Sequence, residues 1–261
     1  MIKIIFFDID GTLLPLRTKT LTPSLTKALQ RLQKKGIRLF LASGRPKFVL
    51  PHFEGVTFDG ALTFNGQYCY DKERVLYENP LDPKDVNQIF ENAQNMKKAL
   101  VACHQDSMYC NEHEEMLDEY FKIASQSIHK IDDFKTYLQS SIYQMMAAIP
   151  ETQEESLLQG TKHIQIVRWW PYACDMIPKE GGKGKAVEGI LKAYGLKKEE
   201  AMAFGDGGND IDMLQAVGCS VAMGNALQEV KDCSDYITKS VEEDGVVYAL
   251  KHFKLIEEDD K

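Results

Sequence analysis

Ile2-Lys3-Ile4-Ile5-Phe6-Phe7-Asp8-Ile9-Asp10-Gly11-Thr12 opens the chain, and its change of character at Asp8 decides how the rest is read. Ile2–Phe7 is an apolar, β-branched and aromatic run, the pattern of a strand buried on both faces. Two carboxylates two residues apart, followed by a glycine, cannot continue such a strand. They fall where the chain leaves the carboxyl edge of a sheet, the edge at which open α/β sheets bind ligands.

Outward from that strand, helices and strands alternate. Thr22 is suited to cap a helix over Pro23–Lys35, with proline in the first turn and Gly36 at its end. Arg38–Ala42 and Ala61–Phe64 read as further strands, and Gln67–Glu78 as a hairpin around Asp71-Lys72-Glu73. The rhythm returns late in the chain. Lys183–Tyr194 is helical with Gly195 as its stop. Ala201–Phe204, Ser220–Met223 and Tyr236–Thr238 are strands, and Asp210–Ala216 and Gly245–His252 helices. Such alternation predicts an α/β fold with a parallel sheet and crossover helices.

Residues 81–178 have a different texture. A helix starts at Asp82-Pro83, and Glu112–Ser125 and Glu151–Gln159 are helical. Leu100–Cys103, Ser107–Cys110, Tyr143–Ile149, His163–Trp170 and Ala173–Ile177 read as strands with few crossovers. That predicts an inserted α+β domain with an antiparallel sheet, so that 1–80 and 179–261 form one discontinuous core and 81–178 a second domain.

The bulk numbers narrow the function classes. At 261 residues the chain has room for one large or two modest domains. The net charge of −8 argues against non-specific nucleic-acid or membrane binding. No run approaches the roughly 20 apolar residues of a membrane span, and Ile2–Phe7 is too short for a signal peptide. The six cysteines are scattered without a CxxC pair, as buried thiols in a reducing compartment would be. The cytoplasm is the expected location. The acidic end, Glu257 to Asp260, reads as a solvated tail. His104, His113, His129 and His163 show no ligand spacing. No GxGxxG follows the first strand, so a dinucleotide site is not expected.

Three further segments point at the same sheet edge. Gly205-Asp206-Gly207-Gly208-Asn209-Asp210 follows a short apolar strand and adds two carboxylates to Asp8 and Asp10. Four acids brought together repel one another and take up protons unless a cation neutralises them, and hard oxygen ligands in that number suit Mg²⁺. Ser43, in Ala42-Ser43-Gly44-Arg45, ends a strand and offers a hydroxyl and nearby N–H groups to an anion. Lys183 starts a helix, where ammonium and helix dipole both favour a phosphate.

These residues resemble the haloacid dehalogenase superfamily, specifically its Cof-type (subfamily IIB) sugar-phosphatase branch with a C2-type cap. DxDGT matches Asp8–Thr12, Ser43 and Lys183 stand for the second and third motifs, and GDxxND matches Gly205–Asp210. Val221-Ala222-Met223-Gly224-Asn225-Ala226 and Glu243-Asp244-Gly245-Val246 also look like this branch. The resemblance implies a Rossmann-like doubly wound core and a Mg²⁺-dependent phosphatase with a small phosphorylated metabolite as partner, a monomer or weak homo-oligomer. It implies Asp8 as nucleophile, Asp10 as general acid and base, and Ser43 and Lys183 on the phosphate oxygens. Asp8, the Asp10 carbonyl and Asp206 would hold the metal, with Asp210 an outer partner. Substrate-binding candidates are Thr12, Gly44, Arg45, Asn65, Asn209, Trp169 and Trp170. Asn209 either donates to phosphate or fixes its turn, and Trp169 and Trp170 either pack cap against core or stack on a sugar. A phosphosugar mutase, using the same phosphoenzyme, and a catalytically silent Mg²⁺- or nucleotide-binding module are the alternatives.

Overall fold

The strands run β1 (Ile4–Asp8), β2 (Arg38–Ala42), β3 (Gly60–Thr63), β4 (Tyr68–Asp71), β5 (Val75–Glu78), β6 (Val101–His104), β7 (Ser107–Cys110), β8 (Gln144–Ala148), β9 (Ile164–Val167), β10 (Ala173–Pro178), β11 (Ala201–Gly205), β12 (Cys219–Ala222) and β13 (Tyr236–Ile237). The structure, a computed structural model, describes residues 1–15, 18–123 and 126–257. Eight strands form one sheet in the order β13-β12-β11-β1-β2-β3-β4-β5, and five form another in the order β7-β6-β8-β10-β9.

β1 lies at the switch point of the larger sheet. It pairs in parallel with β2 on one side and β11 on the other, and the chain winds away from it in both directions. All five of its residues are buried. Phe7 stacks on Phe204 of β11 with ring centroids 5.2 Å apart. Each such side chain contributes about 1.5–3 kcal/mol by leaving water, so the strand that ends in Asp8 is held from both flanks. The observed class is α/β with a Rossmann-like central parallel sheet, and the β4–β5 hairpin closes one edge antiparallel.

The smaller sheet is antiparallel throughout its pairings. Successive residues of β8 alternate between two apolar clusters, Met145 and Ala147 in one, Met146 and Ala148 in the other. Such alternation is what a strand covered on both faces requires.

The helices are α1 (Pro23–Lys34), α2 (Pro83–Asn95), α3 (Glu115–Ile123), α4 (Phe134–Tyr137), α5 (Glu154–Leu158), α6 (Lys183–Tyr194), α7 (Ile211–Gln215), α8 (Gln228–Asp232) and α9 (Gly245–His252). Thr22 caps α1 by accepting Leu25 N–H at 3.1 Å, and Gly195 closes α6 in the left-handed region at φ 63°.

Several boundaries differ from the sequence reading for local reasons. The third strand stops at Thr63 because Phe64 turns to φ 52°. The helix expected from Glu112 begins at Glu115, since Glu112 pairs with Lys130 and Glu114 accepts Ala99 N–H. The strand expected over His163–Trp170 shortens to β9, because Arg168 turns its guanidinium onto the carbonyls of Ile149, Pro171 and Ala173. The helix expected at Asp210 is a 3₁₀ turn over Gly208–Asp210 that leads into α7. Within the expected 112–125 helix, residues 124 and 125 lie outside the described residues, as do 258–260 of the acidic tail.

Candidate active site

Lys183 joins two of the converging segments. It is the first residue of α6, entered from Gly182 at φ 124°, and its side chain has no exposed surface. Nζ donates to Asp8 Oδ1 at 2.7 Å and to Asp210 Oδ1 at 2.6 Å. Burial works against its positive charge, but the Asp210 and Asp8 carboxylates outweigh that and raise its pKa. Asp212 steadies the same turn by accepting Gly184 N–H at 2.9 Å.

Asp210 spends its other oxygen on the backbone. Oδ2 accepts Asp206 N–H and Gly207 N–H, both at 3.0 Å. Three donors therefore fix this carboxylate, which shapes the 206–210 turn and orients the lysine.

Asp206 stands across from Asp8. Its Oδ1 accepts the Thr12 hydroxyl at 3.3 Å and its Oδ2 the Asn225 amide at 3.3 Å. Gly11, at φ 93°, lets the Asp8–Thr12 turn come this close. A Cβ there would lie 2.1 Å from Asp206 Oδ2. Among the described residues, the His, Cys, Asp and Glu side chains grouped so that they could hold a metal are Asp8, Asp206 and Asp210, with carboxylate oxygens within 4.8 Å of one another.

Burial and then the Asp210 charge raise the Asp8 pKa well above its ordinary value, against the pull of Lys183. The same two causes push Asp206 up to about 7. One buried ammonium thus serves a cluster with more negative charge than it neutralises. An all-oxygen donor set short of positive charge fits a hard divalent cation. The histidines take no part in this group. His113 pairs instead with Asp118 at 2.9 Å.

Asp10 is bonded to an arginine rather than to the lysine. Its carboxylate is gripped by Arg45, Nε to Oδ2 at 2.9 Å and Nη2 to Oδ1 at 2.7 Å. Arg45, expected as a substrate-binding residue, therefore binds the candidate acid in this state. Ser43 is buried, and its hydroxyl accepts Arg45 N–H at 3.1 Å.

Asn65 also differs from expectation. It sits in the left-handed region at φ 53°, where asparagine is among the residues best tolerated. Its Nδ2 donates to Gln144 Oε1 at 3.0 Å and Asp175 Oδ2 at 3.5 Å, and its Oδ1 accepts Asn209 Nδ2 at 3.1 Å. The side chain ties the smaller sheet to the 206–210 turn, and Asn209 is held in that tie. Gly44 leaves room for it, since a Cβ there would meet the Asn65 amide at 3.1 Å.

The tryptophans are seen in packing contacts. Trp169 lies 5.1 Å from the Tyr120 ring, and Trp170 lies 5.1 Å from Tyr172. Tyr120 donates to Asp175 Oδ1 at 2.8 Å. Burial pushes Asp175 up to about 7. Nothing in the sequence singles out Tyr120, Gln144 or Asn225 as site residues. Asn225 belongs to the Val221–Ala226 phrase, which carries the family resemblance but no role of its own.

Residues 5–250 match the haloacid dehalogenase-like hydrolases. The chain is 32% identical to the Bacillus subtilis protein named "Putative phosphatase YkrA", over 97% of this chain and 98% of that one. Among solved structures, the subclass IIB sugar phosphatase BT4131 superposes with a TM-score of 0.88 at 32% identity, covering 97% of this chain and all of that one. The phosphatase BT1666 from Bacteroides thetaiotaomicron superposes at 0.90 with 29% identity, covering 98% and 96%.

Proposed function

Because the chain belongs to the haloacid dehalogenase-like hydrolases and is a Cof-type phosphatase, we propose that it hydrolyses small phosphorylated metabolites, sugar phosphates foremost, through an aspartyl-phosphate on Asp8. The observation that carries this reading is the buried Asp8–Lys183–Asp210 bridge at the end of the switch-point strand. A carboxylate beside a fixed ammonium supports the reading, since a phosphate drawn to the ammonium would lie next to the carboxylate.

Asp8 attacks phosphorus, a new Oδ–P bond forms, and the bond from phosphorus to the leaving oxygen breaks. Asp10 gives its proton to that oxygen, then takes one from the water that cleaves the phosphoenzyme. To do so it exchanges Arg45 for the reacting groups. Lys183 and Ser43 hold the non-bridging oxygens. Asp8 and Asp206, with the Asp10 carbonyl as the family resemblance implies, would hold Mg²⁺, while Asp210 orients from behind. When bound, Mg²⁺ supplies charge neutralisation on the phosphate.

Residues 81–178 are taken as the cap, closing over the site and selecting the leaving group. The similarity to the sugar phosphatase BT4131 supports a sugar phosphate as substrate. The test is a panel of phosphorylated sugars, nucleotides and cofactors with Mg²⁺, read by phosphate release, beside Asp8→Asn. Turnover is expected with sugar phosphates and abolished in the folded variant. Phosphate release by Asp8→Asn at near wild-type rate would rule the covalent route out.

A further inference from the structure

The structure assigns Asn225 as the positioning residue that sets Asp206 against the Asp8–Gly11 turn, and so sets how tightly the site holds a divalent cation. This rests on reading the acid cluster as a cation site. Asn225 follows β12, and its amide joins three segments remote in sequence. Nδ2 donates to Gly11 O at 2.9 Å and to Asp206 Oδ2 at 3.3 Å, while Oδ1 accepts Val241 N–H at 2.9 Å. An exposed loop asparagine ordinarily bonds its own turn. This one bonds residues 214, 19 and 16 positions away.

The loop that carries it is itself pinned to the cation-side strand. Met223 N–H donates to Gly205 O at 3.0 Å and Leu227 N–H to Asp206 O at 3.2 Å, while Gly224 N–H donates to Lys239 O at 2.9 Å. The amide is thus a fixed wedge rather than a mobile surface group. With Thr12 on Oδ1 and Asn225 on Oδ2, both oxygens of Asp206 are aimed. The bond to the Gly11 carbonyl fixes the turn that bears Asp8 and Asp10 in the same frame. Asn225 is exposed, so its truncation removes these bonds without opening the core.

Partners that orient a metal-binding carboxylate alter metal affinity by roughly 10–100-fold when removed. The experiment is Mg²⁺ titration of metal-free protein by calorimetry, for wild type, Asn225→Ala and Asn225→Gln, with thermal melts in chelator and kcat measured against Mg²⁺. Asn225→Ala should raise the Mg²⁺ dissociation constant by about 10-fold or more, with kcat recovering once Mg²⁺ saturates. Asn225→Gln, which keeps the amide but displaces it by one methylene, should fall between and serves as the reading if the alanine variant melts early. An unchanged dissociation constant in a folded variant would overturn the assignment, as would a kcat loss that saturating Mg²⁺ does not recover. Absence of Mg²⁺ binding by the wild type would instead remove the cation reading on which the assignment stands.

Discussion

Arg45 holds both carboxylate oxygens of Asp10, at 2.9 and 2.7 Å. The pair is partly exposed, 23% and 40% at the two side chains, so it adds little to stability, about 0–1 kcal/mol. Its consequence is positional. The pair holds the Asp10 carboxylate in one orientation, from which the proposed mechanism has substrate displace the guanidinium. Arg45→Ala should lower kcat/KM on the order of 100-fold while moving the unfolding free energy by less than about 1 kcal/mol. Arg45→Lys should recover little of it, because an ammonium cannot grip two oxygens in one plane. Steady-state kinetics beside urea melts decide the matter. Unchanged kinetics would reduce the pair to a surface contact.

Lys183 sits between two buried carboxylates, so its removal leaves them uncompensated. Lys183→Met should cost about 3–5 kcal/mol at pH 8 in metal-free protein, and less at pH 5, where Asp8, its pKa raised by burial, can take up a proton. Equal stability of variant and wild type at pH 8 would show that the cluster does not depend on the lysine charge.

Burial pushes the Asp175 pKa up to about 7. Its folded pKa lies above the unfolded value, so its contribution to stability is fully present below about pH 4 and is lost as the pH rises through about 7. Between pH 6 and 8 that loss amounts to about 1.4 kcal/mol. Asp175→Asn should remove it, narrowing the pH 6–8 difference in unfolding free energy by that amount. Asp206, also held up to about 7, contributes to both proteins alike, so the difference between them isolates Asp175. Parallel pH profiles would show that Asp175 is ionised throughout.

Gly11 permits the approach of the Asp8–Thr12 turn to Asp206. Gly11→Ala places a Cβ 2.1 Å from Asp206 Oδ2 at a φ of 93°. It should lower kcat/KM at least 100-fold, as expected when reacting groups are displaced by about 1 Å. Circular dichroism and a melt verify that the fold survives. Wild-type activity in this variant would mean that the turn and Asp206 can separate without consequence.

Much of this fold was legible because its cues are local. Thr22-Pro23, Gly195, and the apolar run ending at Asp8 each carry their own reason for starting or stopping an element. The meeting of Asp8, Lys183, Asp206 and Asp210 was legible too, since each ends a strand or begins a helix or turn at one sheet edge. Partners across the chain were not. Nothing near Arg45 in sequence says that its guanidinium faces Asp10, and nothing near Asn65 says that its amide is taken by Gln144 and Asp175. The short helices α4 and α8 escaped because four or five residues give too little period to read.

The place of β1 in the sheet also bears on how the protein is made. Its flank with β2 can form once residue 42 has emerged, but its other neighbour, β11, begins only at residue 201. At ~5–20 residues per second of synthesis, that edge of an Ile-Ile-Phe-Phe strand stands unpaired for on the order of 10–40 s on the ribosome. A bare apolar strand edge is a template for pairing with other chains. The segment through β5, expressed without β11, should therefore aggregate.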